Sequence, residues 1–444
     1  MSHGAHMRAI LTLGLPLIGS HVAQFAITLT DSIMLGWYDV EALAGQVLGG
    51  MLFFVLFIMG SGFAFAVMPA VAKAESSGDL PQVRRITRMG IWASLLFAVA
   101  ALPIFIFSGP ILGLLGQDAD LAGIASEYLV VAGIGIIPAL VVMVLKSYLA
   151  ALERTQVVLW ITLLGVAVNA LVNYALIFGN WGAPEMGVRG AAVASLVVQA
   201  MSVLGLAVYV ARVTPEHDLF ARFWRPDWEA FGHVFTLGWP IGLTSLAEVG
   251  LFAASSIMMG WFGAVPLAAH GIALQITSLT FMIHLGLSNA ATVRAGRAVG
   301  QDDTGGLRRG AAVIIAMSLS VAVLAMVAFL VIPEQLIGLF LDPEDPRKDA
   351  VLAIGVGLMA AAALFQLADA AQVMALGLLR GIQDTKVPMI MAAVAYWVIG
   401  VPVSYVLGVP LGWGGVGIWL GLAVGLAVAA VLLMWRFWVR AGRG

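Results

Sequence analysis

The sequence predicts an all-α membrane protein with twelve transmembrane helices in two pseudo-symmetric six-helix bundles. Three observations favour this fold class: the composition, the sorting of basic residues between loops, and an internal repeat. Of the 444 residues, 61% are hydrophobic and only 10% are charged, whereas soluble proteins carry about 25% charged residues. The net charge of −2 and the lack of a basic run give no indication of a nucleic-acid partner. Without cysteine, disulfides and thiol chemistry are excluded.

Twelve segments between charged or Gly/Pro-rich breaks reach the length of about 20 apolar residues that a spanning helix needs. The predicted spans are Ile10–Leu35, Leu43–Val71, Met89–Phe107, Leu121–Leu145, Val157–Phe178, Gly190–Val210, Phe235–Met259, Ala264–Thr292, Ala311–Ile332, Ala350–Leu376, Val387–Leu407 and Val416–Trp435.

Basic residues are distributed unevenly between the predicted loops. If the amino terminus is cytoplasmic and the loops alternate, all but three of the 22 basic residues fall on the cytoplasmic side. The exceptions are Arg189, Arg347 and Lys348. The positive-inside rule therefore predicts that both termini are cytoplasmic. No basic residue is expected well inside a span.

The two halves of the chain resemble each other. Leu11–Pro16 is similar to Phe235–Pro240, and Asp31–Trp37 is similar to Ser255–Trp261 at the same offset. Two blocks in one register indicate a duplication with six spans in each copy, which favours a transporter with its substrate path between the copies. The predicted domains are an amino-terminal lobe at 1–211, a cytoplasmic linker at 212–233 and a carboxy-terminal lobe at 234–444.

Three carboxylates, Asp31, Glu248 and Asp369, remain deep inside the apolar spans, away from the loops and rims. A carboxylate in hydrocarbon costs several kcal/mol unless it is paired, hydrated or neutralised, and cation handling is the usual reason for one. The duplication does not include them, because Asp31 aligns with Ser255 and Glu248 with Gln24.

Helical rise predicts which of these acids meet. Asp31 lies about 12 Å below the outer surface and Asn173 about 9 Å, and Asn169 shares a helix face with Asn173. Glu248 and Asp369 lie at one depth, about 22 Å from their cytoplasmic ends. Two sites are therefore expected, and paired carboxylates suit either Na⁺ or a shared proton. The asparagines could instead serve only as interhelical hydrogen-bonding groups.

Other polar residues in the spans are candidates for the substrate path. Gln24 and Gln275 could line it or simply contact a neighbouring helix. His270 could contribute to the path, although a histidine satisfied within the helix packing is the simpler interpretation.

Several motifs together resemble one known family. The chain is similar to multidrug and toxic compound extrusion (MATE) transporters of the NorM-type bacterial branch. The motifs are Thr30–Gly36, Asn169 with Asn173, Glu248–Phe252, Ala268–His270, Val293–Gly300, Phe365–Asp369 and Leu379–Thr385.

The resemblance implies a V-shaped pair of six-helix bundles and a secondary active antiporter. Such a protein exports small organic, often cationic, compounds by alternating access in exchange for Na⁺ or H⁺. It is a monomer in the bacterial inner membrane, has no cofactor besides the coupling ion, and is not an enzyme.

The resemblance also assigns residues. Glu248 and Asp369 match a cation site that could hold Na⁺, and Asp31 with the two asparagines matches a second site. Phe365 stands where a tyrosine is expected, so the ion ligands here could differ, and Phe365 joins the candidates for the substrate path.

Two other functions remain open. A flippase for a lipid-linked anionic precursor, as in distant relatives, would need basic residues facing the cavity. A channel or membrane enzyme is the third possibility, but no metal-ligand cluster, nucleophile motif or phosphate loop supports an enzyme.

Overall fold

The computed structural model describes residues 1–443 and confirms the predicted fold class. Within that range, twelve helices are long and apolar enough to cross a membrane. In chain order, α1 to α12 are His3–Tyr38, Val40–Ser76, Leu80–Ile106, Ala119–Ala151, Thr155–Phe178, Val188–Val213, Trp228–Gly260, Ala264–Gly300, Thr304–Val331, Lys348–Gly381, Lys386–Gly408 and Gly414–Ala441. Short helices at Ser108–Leu114 and Pro333–Gly338 precede α4 and α10.

Most of the helices extend past the predicted spans. Aspartates at their amino termini explain part of this extension, since a carboxylate that accepts from a free backbone N–H allows a helix to start outside the lipid. Asp79 Oδ1 accepts from the Gln82 amide at 3.2 Å, and Asp303 Oδ1 accepts from the Gly306 amide at 2.7 Å. Apolar content measures only the part of a helix that lies in lipid, which is why the sequence predicted shorter elements.

The backbone repeats as the sequence predicted. The second helix of each half, α2 and α8, is 37 residues long. Each of these helices is followed by a residue with a left-handed backbone, Gly78 with φ of 81° and Asp302 with φ of 53°. The turns after α4 and α10 match in the same way, at Glu153 with φ of 61° and Gln383 with φ of 62°.

The helices pack into two compact units. The amino-terminal unit is Gly19–Gly242, and the carboxy-terminal unit is Met1–Ile18 together with Leu243–Gly444. Both boundaries fall inside helices, so α1 and α7 each contribute to both units. The predicted lobes at 1–211 and 234–444 stay a prediction.

Glycines allow very close helix crossings in the amino-terminal unit. A Cβ on Gly62 of α2 would lie 2.3 Å from the Gly238 carbonyl oxygen and 2.5 Å from the Gly242 nitrogen of α7. Gly238 and Gly242 are one turn apart, the spacing that lets two membrane helices approach through small residues. This crossing ties the first part of α7 to α2.

The segment before α7 is held against α3. The Arg85 guanidinium donates to both carboxylate oxygens of Asp227, at 2.6 and 3.1 Å, and keeps the pKa of that carboxyl below its usual range. The Trp92 indole donates to the Phe223 carbonyl at 2.9 Å, and Arg88 donates to the Leu219 carbonyl at 2.7 Å. The predicted linker is therefore packed along its length rather than loose.

Replacing Gly62 by alanine should destabilise the amino-terminal unit. The added Cβ meets backbone atoms that cannot rotate away, so we expect a loss of about 1–3 kcal/mol and a lower melting temperature in detergent. Gly232→Ala is the control, because nothing lies within 4 Å of a Cβ there and alanine favours the helix. Equal melting temperatures for Gly62→Ala and the wild type would contradict the close crossing.

Candidate functional site

Asp31 and the two asparagines of α5 meet inside the amino-terminal unit. All three side chains are buried. Asp31 Oδ1 accepts from Asn169 Nδ2 at 3.0 Å and from Asn173 Nδ2 at 2.6 Å. Asn173 Nδ2 also donates to Asn169 Oδ1 at 3.2 Å, which fixes the orientation of both amides. The structure thus brings together the residues that helical depth grouped, while their role in ion binding stays a prediction.

We call Asp31, Asn169 and Asn173 the Asp31 cluster. Three further polar side chains lie around it. Ser195 of α6 lies close to Asp31 and to Tyr128 of α4, and Gln46 of α2 lies close to Tyr128. Two buried oxygens here, Asn173 Oδ1 and Gln46 Oε1, accept no hydrogen bond. Unsatisfied buried oxygens next to a carboxylate are the ligands that a hard cation prefers.

Glu248 and Asp369 meet in the carboxy-terminal unit through one glutamine. Gln372 Nε2 donates to Glu248 Oε1 at 3.0 Å and lies 3.5 Å from Asp369 Oδ1. The two carboxylates are close enough to interact electrostatically. Asp369 is 2% exposed, whereas Glu248 is half-buried. The two acids, which were predicted to lie at equal depth, therefore lie close together in the structure.

Tyr396 fixes the orientation of that glutamine. Its hydroxyl donates to Gln372 Oε1 at 2.5 Å, so the amide nitrogen must face the acids. Tyr396 lies in Val394–Gly400, a π-helical segment of α11, and such segments often occur at functional sites. The neighbouring Trp397 indole donates to the Ala247 carbonyl at 3.1 Å, which fastens the segment beside Glu248. Neither contact could be predicted from residue spacing.

Gln366 is a second residue that the sequence analysis missed. It lies one turn before Asp369 on α10 and is 0% exposed, yet neither its amide nitrogen nor its oxygen has a hydrogen-bond partner. A buried primary amide left unsatisfied costs about 1–3 kcal/mol. Such a cost is usual where a ligand, an ion or a water completes the site.

His270 and Phe365, two candidates for the substrate path, are packed inside the helices. The Trp419 indole donates to His270 Nδ1 at 3.0 Å, and Ser256 Oγ lies 3.0 Å from Nε2. Because an indole only donates, Nδ1 carries no proton and the imidazole is neutral. Phe365 packs edge-on against Trp419, with ring centroids 5.4 Å apart.

The other two candidates for the path, Gln24 and Gln275, are exposed on α1 and α8. Their contact with a substrate stays a prediction, as does that of His270 and Phe365.

Lys146 departs from the expectation that basic residues lie at the rims. It sits five residues before the end of α4, and its ammonium donates to Thr162 Oγ1 of α5 at 3.1 Å. Charge sorting placed it correctly near one end of a span, but the contact points the side chain into the helix bundle.

Within residues 1–443, no group of three or more His, Cys, Asp or Glu side chains is arranged to hold a metal ion. A cation bound by Glu248 and Asp369 would therefore need neutral oxygens as further ligands. Gln372 would have to turn its amide over to supply one, because its nitrogen faces the acids and its oxygen accepts from Tyr396.

Membrane-length helices in two repeated halves, each enclosing buried carboxylates held by amides, define a membrane transporter. The sequence pattern of the MatE family matches residues 16–175 and 240–406, one stretch in each half of the chain. The chain therefore belongs to the MatE family. This membership confirms the predicted family and the interpretation as a transporter rather than an enzyme.

Two bacterial relatives cover almost the whole chain. A protein of Agrobacterium fabrum (strain C58) described as "Probable multidrug resistance protein NorM" is 46% identical over 435 residues, covering 98% of this chain and 94% of the relative. A protein of Rhizobium meliloti (strain 1021) with the same description is 47% identical over 434 residues, covering 97% of this chain and 93% of its own.

Solved structures share the fold. A crystal structure described as MATE in the bent conformation superposes with a TM-score of 0.90 at 19% sequence identity, over 99% of this chain and 96% of the other. At this identity the likeness shows the fold alone.

Replacing Asn173 by leucine should destabilise the amino-terminal unit, because the Asp31 carboxylate loses a donor while it stays buried. We expect a loss of about 2 kcal/mol. Replacing Asp31 by leucine as well should cost less than the sum of the two separate losses, because the hydrogen bond between these side chains is lost only once.

Thermal unfolding followed by tryptophan fluorescence measures both effects. Asn180→Leu, which removes one exposed hydrogen bond to the Tyr174 carbonyl, is the control and should change little. Strictly additive losses in the Asp31/Asn173 double variant would argue against direct coupling of the two side chains.

Proposed function

We propose that this protein is a secondary active antiporter that exports small organic, often cationic, compounds in exchange for Na⁺ or H⁺. It acts as a monomer in the bacterial inner membrane, with both termini cytoplasmic, by alternating access. The relatives described as multidrug resistance proteins support the export of drugs. The observation that supports an exchange of cations is that the carboxylates of Glu248 and Asp369 share one amide donor, Gln372.

The shortage of hydrogen-bond donors explains why a cation would stabilise the pair of Glu248 and Asp369. Gln372 has two N–H groups, too few to satisfy four carboxylate oxygens, and two like charges repel. A Na⁺ ion or a proton between Glu248 and Asp369 would offset that repulsion. An organic cation would do the same, so ion and substrate compete for the negative charge.

Competition becomes transport when the two ligands prefer different conformations. Coupling free energies of about 1–3 kcal/mol between sites are typical, and a ligand shifts a conformational equilibrium only by its differential affinity. The Asp31 cluster together with Gln46 offers a second place for the ion, with one carboxylate and two unsatisfied amide oxygens.

Neutralising either acid of the pair should abolish gradient-driven export. Asp369→Asn and Glu248→Gln keep the shape of the side chains but remove the charge that attracts the cation. We expect at least a ten-fold fall in the export of a cationic dye from energised membrane vesicles. Asp349→Asn is the matched control, because Asp349 is exposed at the start of the same helix. Wild-type export by both variants would overturn the proposal. Running the assay with a Na⁺ gradient alone and a pH gradient alone identifies the coupling ion.

Replacing Tyr396 by phenylalanine should weaken ion binding without removing the acids. Gln372 Oε1 loses its donor and the amide is free to rotate, so its nitrogen no longer faces Glu248. We expect the half-saturating concentration of the coupling ion to rise about five- to ten-fold while the maximal rate changes little. Tyr405→Phe, at an exposed position on the same helix, should leave both values unchanged. A fall in the maximal rate alone would show that Tyr396 acts on transport rather than on the ion.

A further inference from the structure

A second polar group lies in the amino-terminal unit, between α1, α4 and α5. The Lys146 ammonium donates to Thr162 Oγ1 at 3.1 Å, and Ser20 Oγ lies 3.2 Å from the same oxygen. Ser20 and Thr162 are buried, at 5% and 3% exposure. His21 is close enough to Lys146 to interact with it electrostatically. We call Ser20, Lys146 and Thr162 the Lys146 cluster.

The Lys146 side chain does not reach out toward the end of its helix. Thr162 is seven residues inside α5, which begins at Thr155, so the ammonium lies about 10 Å from that helix end. A lysine near the end of a spanning helix normally extends its amine to the interface. Here the amine lies instead against a buried hydroxyl group.

No carboxylate neutralises this amine. Across residues 1–443, Lys146 forms no ion pair, and Thr162 is its one hydrogen-bond partner. An unpaired basic group inside a span is costly and usually marks a functional site.

The hydrogen bonds of the Lys146 cluster use both hydroxyl hydrogens and leave two N–H donors of the ammonium unused. The Thr162 hydroxyl donates to the Val158 carbonyl at 2.7 Å, so its lone pairs accept from Lys146 and from Ser20. The Ser20 hydrogen is therefore used as well, whereas an ammonium has three N–H donors and one is occupied. A group with spare N–H donors and a positive charge selects an anionic acceptor such as a carboxylate.

The Lys146 cluster shares helix faces with the Asp31 cluster. Ser20 precedes Asp31 by about three turns on α1, and Thr162 precedes Asn169 by about two turns on α5. One face thus carries a cationic group at one level and a carboxylate about 10–16 Å further along. This order of charges complements a molecule that bears both a basic and an acidic group.

We propose that the Lys146 cluster is the subsite that binds the carboxylate group of those transported compounds that carry one. This inference rests on the proposed export function and specifies the chemistry of its substrates. A single ammonium with two spare N–H donors suits one carboxylate better than a pyrophosphate, for which a bidentate arginine cluster is typical.

A matched pair of dyes tests the subsite: a rhodamine with a free carboxyl group, and the methyl ester of the same dye. In phosphatidylcholine vesicles, Lys146→Met should lower export of the acid about ten-fold and leave export of the ester within two-fold of wild type. Lys146→Arg, which keeps the cation, should retain most of the preference for the acid. Lys73→Met, at an exposed position in the same unit, is the matched control and should change neither dye. Retained export of the ester shows that the variant is folded.

Binding to purified protein in nanodiscs separates this inference from the proposed function. If the wild type transports neither dye but Lys146→Met still weakens binding of the acid alone, the subsite stands and the export proposal fails. An equal loss for both dyes, or no change in their ratio, would overturn the subsite. So would an effect that appears only when phosphatidylglycerol is added, because a lipid headgroup would then be the anion.

Discussion

A carboxylate can stay in a membrane-spanning helix only where neighbouring helices bring donors to it. Asp31 receives two amide donors from α5, and Glu248 receives one from α10. Because donor and acceptor lie on different helices, the arrangement depends on the distances between those helices. The glycine crossing holds α7 close to α2, and the Trp397 indole holds α11 against α7 beside Glu248.

Much of this architecture could be predicted from the sequence because its causes are local or periodic. Apolar length marks each span, and two blocks in one register reveal the duplication. Depth along a helix follows from residue count, which is why the meetings of Asp31 with Asn173 and of Glu248 with Asp369 were predicted. The first and last residues of the helices were not predicted, since capping extends the helices beyond the lipid.

The rest of the site depends on which way each helix is rotated, and residue count does not determine that. Gln372, Tyr396, Ser195 and Gln46 are ordinary polar residues in a long apolar sequence, and nothing in their spacing separates them from exposed ones. Lys146 was misjudged for the same reason: its position near a helix end predicted a rim residue, but the direction of its side chain places the amine beside Thr162. Gln24 and Gln275 show the converse, as polar residues in spans that prove to be exposed.

The duplicated scaffold carries unlike charges, and this asymmetry bears on exchange. Ser255, the counterpart of Asp31, is fully buried and donates its hydroxyl to the Phe252 carbonyl of its own helix, so it adds no charge to the carboxy-terminal unit. One monovalent cation would neutralise the single ionised carboxylate of the Asp31 cluster, whereas it would leave one negative charge on an ionised pair of Glu248 and Asp369. Competition at the pair is therefore graded, because a bound ion weakens its attraction for an organic cation without cancelling it, whereas competition at the Asp31 cluster would be all or none.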